Sequence, residues 1–235
     1  MTTSAMIFAA GLGTRLYPLT AEIPKALVEY QGKTLLEHAI TKVLDAGIEN
    51  IVINVHHFGE QIIDFVNQNH FNAKIEISDE RKMLLETAGG LKHAESLFTN
   101  CNQILLYNVD VISSIDLKKL CTEAENDLYS IATLAIRNRQ TNRYFLFEKP
   151  GLRLCGWVDT KTNEKVICYN TKNNTPLAFS GIHIVKKKIL NLIPKNEKIS
   201  FTPLYLDLAK KYHIQGYLHN KDTWKDVGKM NSIIN

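Results

Sequence analysis

"SAMIFAAGLGTRLYPLTAEIPKALV", residues 4–28, runs an uncharged apolar stretch straight into two glycines, then through a threonine, an arginine, two prolines and a lysine. Residues 4–10 read as a strand buried on both faces, the habit of strands in a parallel sheet. Gly11 and Gly13 read as the turn leaving its carboxyl end, where backbone N–H groups can converge on an anion. Downstream the pattern repeats. A helix over 33–47 closed by Gly47, a strand over 50–56, a helix over 59–69, a strand over 74–78, a helix over 90–98 and a strand over 103–111 predict parallel strands joined by crossover helices.

After about residue 127 the character changes. "DLYSIATLAIR" continues the sheet, whereas "RYFLF", "RLCGWVD" and "KVICYN" are short strands separated by the turn signals "EKPG" and "TKTNE". "LAFSGIHIV" reads as one more core strand, followed by helices in "KKKILNLI" and "TPLYLDLAKKY" and a strand in "IQGYLHN". The expected fold is α/β, a Rossmann-like mixed, mostly parallel sheet flanked by helices. It forms one domain over residues 1–235, with a small antiparallel flap laid against the core at roughly 140–175.

The bulk numbers agree with one large domain: 235 residues, 45% hydrophobic and 22% charged. A net charge of +4, with Lys186–Lys187–Lys188 as the tight basic run, lacks the clustered stripe that nucleic-acid binding requires, so no nucleic-acid partner is expected. No apolar run approaches the ~18 residues of a membrane span, and the amino terminus has no basic leader, so no membrane partner is expected. Four cysteines without a C-x-x-C pair read as reduced thiols in a cytoplasmic protein.

The glycine turn has three possible owners. A P-loop requires a Gly-Lys pair that is missing here, and a dinucleotide fingerprint requires a third glycine where Leu16 stands. The third is a polyphosphate site. Thr14 can donate a hydroxyl hydrogen bond and Arg15 a bidentate guanidinium, while Pro18 and Pro24 stiffen a loop that returns Lys25 toward the same place.

"AAGLGTRLYPLT" followed by "PKAL" resembles the signature of the sugar-1-phosphate nucleotidyltransferases, also called NDP-sugar pyrophosphorylases. The resemblance extends from Met6 to about Gly228. It implies the nucleotide-diphospho-sugar transferase fold, with Ala10, Gly11, Gly13, Thr14 and Arg15 around the triphosphate and Lys25 on the reacting phosphates. It also implies catalytic roles for Arg15, Lys25 and Asp110, and substrates that are a nucleoside triphosphate and a sugar 1-phosphate.

Transfer at an α-phosphate with pyrophosphate leaving accumulates negative charge, which calls for a hard divalent cation on oxygen ligands, here Mg2+. Asp110 ends the strand "QILLYNVD" at the carboxyl edge of the sheet, and Asp226 sits in "TWKDVG". "NVD" and "WKDVG" look like the family's two metal aspartates. One departure is Val109, where many members have glycine; a side chain there is expected to crowd the approach to the backbone.

"LLETAGGLKHA", residues 84–94, is similar to the family's base-reading and sugar-reading loop, which assigns Glu86, Thr87 and Gly89 to the nucleotide, with small residues admitting a flat base. The Glu86 carboxylate suits the N1–H and N2–H2 of guanine and equally a sugar hydroxyl, so the base stays open. "FSGIHI" resembles the strand that presents a glycine to the sugar, giving Ser180 and Gly181, and Asn108 beside the metal aspartate joins them. The segment "RYFLFEKPGLRLCGW" is similar to the flap of the compact members that activate N-acetylmuramate 1-phosphate, which inclines the expectation to UTP and an amino-sugar 1-phosphate. GTP with mannose or heptose 1-phosphate, a phosphocholine cytidylyltransferase and a binding protein without turnover are the alternatives, as a monomer or homodimer.

Overall fold

Strand β1 (Thr3–Phe8) carries apolar side chains on both faces, and the period of two divides them: Ala5 and Ile7 enter one core, Met6 and Phe8 the other. The computed structural model describes residues 2–233. After β1 the chain makes 3-10 turns at Thr14–Leu16 and Lys25–Leu27, and a ribbon of β2 (Glu29–Tyr30) with β3 (Lys33–Thr34). Helix α1 (Leu35–Asp45) begins where the Thr34 hydroxyl accepts from the Glu37 amide at 3.1 Å, a capping arrangement, and buries Leu35, Leu36, Ala39, Ile40 and Val43 as one stripe. Gly47, with φ +79°, turns the chain out of it.

The same unit repeats through β4 (Asn50–Val55), α2 (Gly59–Gln68), β5 (Lys74–Asp79), α3 (Glu86–His93) and β6 (Gln103–Asn108). These strands lie parallel in the order β5-β4-β1-β6. The chain thus runs outward from β1 and returns to its other side with β6. The carboxyl ends of β1 and β6 border the point where strand order reverses, the place where open α/β sheets bind ligands.

Beyond β6 come β7 (Val111–Ser113), α4 (Leu117–Asn126) and β8 (Ser130–Arg137). The flap is β9 (Arg143–Glu148), β10 (Leu154–Asp159) and β11 (Glu164–Ile167), paired antiparallel. Strand β12 (Asn174–Lys186) joins everything: Asn174–Leu177 pair with β9, Ile182–Lys186 with β6, and residues on both sides of a register shift between Phe179 and His183 pair with β8. Helix α5 (Phe201–Leu208) and β13 (His213–Leu218), parallel to β8, follow. The chain closes with β14 (Trp224–Asp226), antiparallel to β7, and α6 (Met230–Ile233).

The mixed α/β sheet flanked by helices is therefore as expected, with four differences of detail. The flap strands are hydrogen-bonded into the ten-stranded sheet through β12 and do not form a separate layer. The helix expected over 90–98 starts at Glu86, because the Ile199 carbonyl accepts from the Ala88 and Gly89 amides and holds the preceding residues in its first turn. Residues 187–192, expected as a helix, form a 3-10 segment. Helix α4 was not expected, although Asp116 caps it by accepting from the Lys119 amide at 2.8 Å.

Candidate active site

The loop after β1 is held by its own residues before it meets any ligand. Gly13 sits in the left-handed region at φ +68°, and a Cβ there would lie 2.9 Å from Thr20 Cγ2. The Thr20 hydroxyl donates to the Gly13 carbonyl at 3.0 Å, and the Leu16 amide donates to it at 2.8 Å. Leu16 is fully buried. The residue that excluded a dinucleotide fingerprint is thus an apolar plug that fixes the loop and leaves Arg15 facing outward. Gly11 has open space where a side chain would stand.

Four charged groups from distant parts of the chain meet beside this loop. The Lys25 ammonium donates to Asp110 Oδ2, and Arg15 stands 3.6 Å from Asp110 Oδ2 and 3.9 Å from Asp226 Oδ2. The β7–β14 ribbon explains the meeting, because its register sets Asp226 opposite Val111, one residue after Asp110. The Val227 amide donates to the Asp110 carbonyl at 2.9 Å, and the Gly228 amide donates to Asp226 Oδ1, also at 2.9 Å.

Gly228, not singled out in the sequence although it closes "WKDVG", is part of this site. A Cβ there would lie 2.3 Å from Asp110 Oδ2 and 3.0 Å from both Arg15 Nη2 and Asp226 Oδ1. Both carboxylates therefore face a space that only a hydrogen leaves open. Two hard oxygen donors around such a gap, now neighboured by two cationic side chains, fit a divalent cation of the Mg2+ class. Val109 does not crowd the approach, as its side chain is buried in the core with Ile7 and Tyr107.

A cleft of about 320 Å3 opens over these groups. Ala10, Gly11, Arg15 and Lys25 form one side, Glu86 and Thr87 another, and Asn108 and Asp110 the floor. Gly13 and Thr14 belong to the same loop but do not line the cleft, and Asp226 reaches it through Arg15. Gly181, φ +74°, packs behind the floor, where a Cβ would lie 2.9 Å from Asn108 Nδ2.

Two expected contacts are turned elsewhere. Ser180 is fully buried and its hydroxyl pairs with His219 Nε2 at 2.7 Å. Gly89 faces away from the cleft: its amide donates to the Ile199 carbonyl at 3.0 Å, and a Cβ would lie 2.3 Å from the Glu197 carbonyl. Its smallness thus serves the close packing of the segment before α5, not the approach of a base. Thr87 accepts from the Phe201 amide at 3.1 Å, and Glu86, at φ +60°, lies 3.9 Å from Lys198.

Asn54 and Glu80, which no motif marked, connect the two sides of the cleft. Asn54 Oδ1 accepts from the Ala9 amide at 2.8 Å, Asn54 Nδ2 donates to Glu80 Oε1 at 2.7 Å, and Glu80 Oε2 accepts from the Leu85 amide at 3.2 Å. Burial pushes the Glu80 carboxyl above its ordinary range, against the pull of these donors.

Comparison with known proteins agrees with this geometry. A family model described as nucleotidyl transferase matches residues 4–235. N-acetylmuramate alpha-1-phosphate uridylyltransferase of Caulobacter vibrioides is 31% identical over 233 residues, covering 95% of this chain and 91% of its own. A putative mannose-1-phosphate guanyltransferase of Sulfolobus acidocaldarius is 25% identical over 96% of this chain, which spans 59% of that longer protein. Among solved structures, HddC from Yersinia pseudotuberculosis complexed with GMP-PN shares the fold with a TM-score of 0.77 at 23% identity, covering 100% of this chain and 97% of that one. The family model spans both aspartates and the loop that faces them, and the chain belongs to the nucleotidyl transferase family.

Proposed function

We propose that the protein transfers a uridylyl group from UTP to an amino-sugar 1-phosphate, releasing pyrophosphate. The observation that carries nucleotidyl transfer is the convergence of Lys25 and Arg15 on Asp110 and Asp226 at the rim of one cleft. A phosphate oxygen of the sugar 1-phosphate attacks the α-phosphorus, the bond from that phosphorus to the bridging oxygen of the β-phosphate breaks, and pyrophosphate leaves with the electron pair. No group of the chain becomes covalently attached, so its contribution is position and charge.

The loop amides around Gly11 and the Arg15 guanidinium hold the triphosphate. Lys25 offsets charge on the reacting phosphates. Asp110 and Asp226 would hold Mg2+, which when bound supplies positive charge to the phosphate oxygens. Asn108, backed by Gly181, faces the acceptor sugar, and Glu86 and Thr87 border the base.

The choice of UTP and an amino sugar draws on the relative that matches this chain over 91% of its own length and is named for N-acetylmuramate alpha-1-phosphate. A guanylyl reading draws on Glu86, whose exposed carboxylate lines the cleft and can accept from guanine N1–H and N2–H2. The phosphocholine alternative loses ground, because the aromatic groups near the flap share their cavity with Arg139 and Arg143, which repel a quaternary ammonium.

Pyrophosphate release with each nucleoside triphosphate, against N-acetylmuramate, N-acetylglucosamine, mannose and heptose 1-phosphates and phosphocholine, tests the reading. The expected result is turnover with UTP and an amino-sugar 1-phosphate, abolished by chelation and restored by Mg2+. Turnover with GTP and a neutral hexose phosphate alone refutes the uridylyl reading, and no turnover with any pair refutes nucleotidyl transfer.

A further inference from the structure

The register of the sheet sets three residues of the active cleft abreast: Phe8 of β1 lies opposite Asn54 of β4 on one side and Asn108 of β6 on the other. Asn108 stands two residues before Asp110, whereas Asn54 stands toward β5 and the loop that leads from it to Glu86 and Thr87. Asn54 is only 2% exposed, and so is Glu80, which begins that loop. The Glu80 amide donates to the Val55 carbonyl at 2.8 Å, which ties it to the end of β4. Its carbonyl accepts from the Met83 amide at 3.0 Å and curls the loop back on itself.

The hydrogen bonds of this pair can run one way. Backbone amides only donate, so Asn54 must turn Oδ1 toward Ala9 and Nδ2 toward Glu80, and Glu80 must accept twice, from Asn54 and from Leu85. A carboxylate has one oxygen for each donor, whereas a leucine would fill the same volume and leave both donors unsatisfied in the interior. Helix α3 closes over the pair at Gly90, where a Cβ would lie 2.6 Å from Glu80 Oε1 and 3.2 Å from Asn54 Nδ2. A continuous chain of hydrogen bonds thus joins the residue before Ala10 and Gly11 to the residue before Glu86 and Thr87, across the cleft that these four line.

We propose that Asn54 and Glu80 are positioning residues for the nucleoside triphosphate, whose bonds fix the separation of the triphosphate wall from the base wall. The inference rests on the transfer reaction proposed above, in which one wall holds the triphosphate and the other borders the base. With the walls held beforehand, little loop freedom is lost when one nucleotide meets both. Such a brace acts on the binding of the whole nucleotide and leaves the acceptor side, at Asn108 and Gly181, as it was.

The test compares the full chain with Asn54→Ala, Glu80→Gln and the double variant in the presence of Mg2+. It reads the calorimetric Kd of whichever of UTP, GTP, CTP and ATP wild type binds most tightly, and the KM of the sugar 1-phosphate that wild type turns over. Each single variant is expected to weaken the nucleotide about tenfold, as for the loss of a hydrogen bond to a charged group, with the KM of the sugar phosphate within about twofold. The glutamine has one acceptor for two donors, and once Asn54 is gone it has only the Leu85 amide to satisfy. The double variant should therefore bind no more weakly than Asn54→Ala alone. Additive losses, or a sugar-phosphate KM that rises as much as the nucleotide Kd, overturn the proposal and make the pair mere packing. Hydrogen exchange in wild type gives a second measurement that needs no variant to fold. Inorganic tripolyphosphate, which can engage only the wall of Gly11, Arg15 and Lys25, should slow exchange of the Leu85 amide on the opposite wall; protection confined to the glycine loop overturns the coupling. If a nucleotide binds but no sugar phosphate turns over, the transfer reading fails and the Kd comparison still decides the role of the pair. If wild type binds no nucleotide, both fail.

Discussion

Lys25 and Asp110 lie 85 residues apart, yet their charged ends meet with side chains only 13% and 11% exposed. A pair so poorly solvated depends on both members, because removing one leaves a buried charge without its partner. Lys25→Ala is expected to lower kcat by about a thousandfold, the upper range for removing one preorganised electrostatic group, while circular dichroism shows the fold retained. Near-normal pyrophosphate release by that variant removes Lys25 from the mechanism. Gly228 makes a sharper case, since its effect is exerted by the side chain it lacks. Gly228→Ala would drive a methyl into Asp110 Oδ2, with Arg15 and Asp226 pressed from the other sides. Displacing these groups by about 1 Å costs on the order of a hundredfold in kcat/KM, and the Mg2+ concentration for half-activity should rise with it. Unchanged kinetics in Gly228→Ala would show that the carboxylates do not act from these positions. Lys25 and Asp110 were legible because one lies in the motif "PKAL" and the other ends the largely apolar run "QILLYNVD", whereas Gly228 was not, because no local pattern reveals what an added Cβ would meet.

Among the elements, β12 decides the most. It pairs with β9 at one end and β6 at the other, and its register against β8 shifts around Gly181. The positive φ there lets the strand change partners while lying against Asn108. Gly181→Ala brings both a strained backbone and a contact of 2.9 Å with Asn108 Nδ2. The expected outcome is a KM for the sugar phosphate raised about tenfold, in keeping with the loss of one positioning contact, with the KM for the triphosphate little changed. Equal rises in both constants would mean that Asn108 does not face the acceptor. Sequence made β1, α1, β4, α2 and β5 readable because each carries its own period or its own stop, such as Gly47, whereas the two-residue strands β2 and β3 are too short to show one. It made β12 and the β7–β14 ribbon unreadable as neighbours, since their pairings join residues far apart in the chain. What surrounds Gly89 was hidden for the same reason: the carbonyl that excludes a side chain there belongs to Glu197, outside its own helix. Helix α4 differs, because the Asp116 cap and the stripe of Leu117, Leu120 and Ala124 were present to be read.

At the scale of the whole molecule, acid sensitivity follows from two histidines that fold into the sheet uncharged. His183 lies among Phe179, Phe201 and Tyr205, pairs with the Tyr205 hydroxyl at 2.5 Å, and is pushed by burial down to about 3. His219 pairs with Ser180 and is pushed down to about 4, first by burial and then by the Arg137 charge. In the unfolded chain both titrate near the ordinary value of about 6.5. Below that value the unfolded chain binds protons that the folded one refuses, so stability is full above about pH 6.5 and falls with acid. The window closes near pH 4 for His219 and pH 3 for His183. The slope is about 1.4 kcal/mol per pH unit for each histidine. Glu80 acts in the opposite sense, because its raised carboxyl contributes stability at low pH that is lost as pH rises through its folded value. It therefore offsets part of the loss only at the acid end, where carboxylates titrate. Urea unfolding between pH 7 and pH 5 should accordingly show a falling free energy in the wild type and a slope reduced by about half in His183→Gln. Hydrogen exchange should place the earliest acid loss at β12, which carries His183 and holds Gly181 against Asn108, and at the end of β13, which His219 directly follows. A slope that His183→Gln leaves intact would mean that this ring is already protonated in the folded sheet.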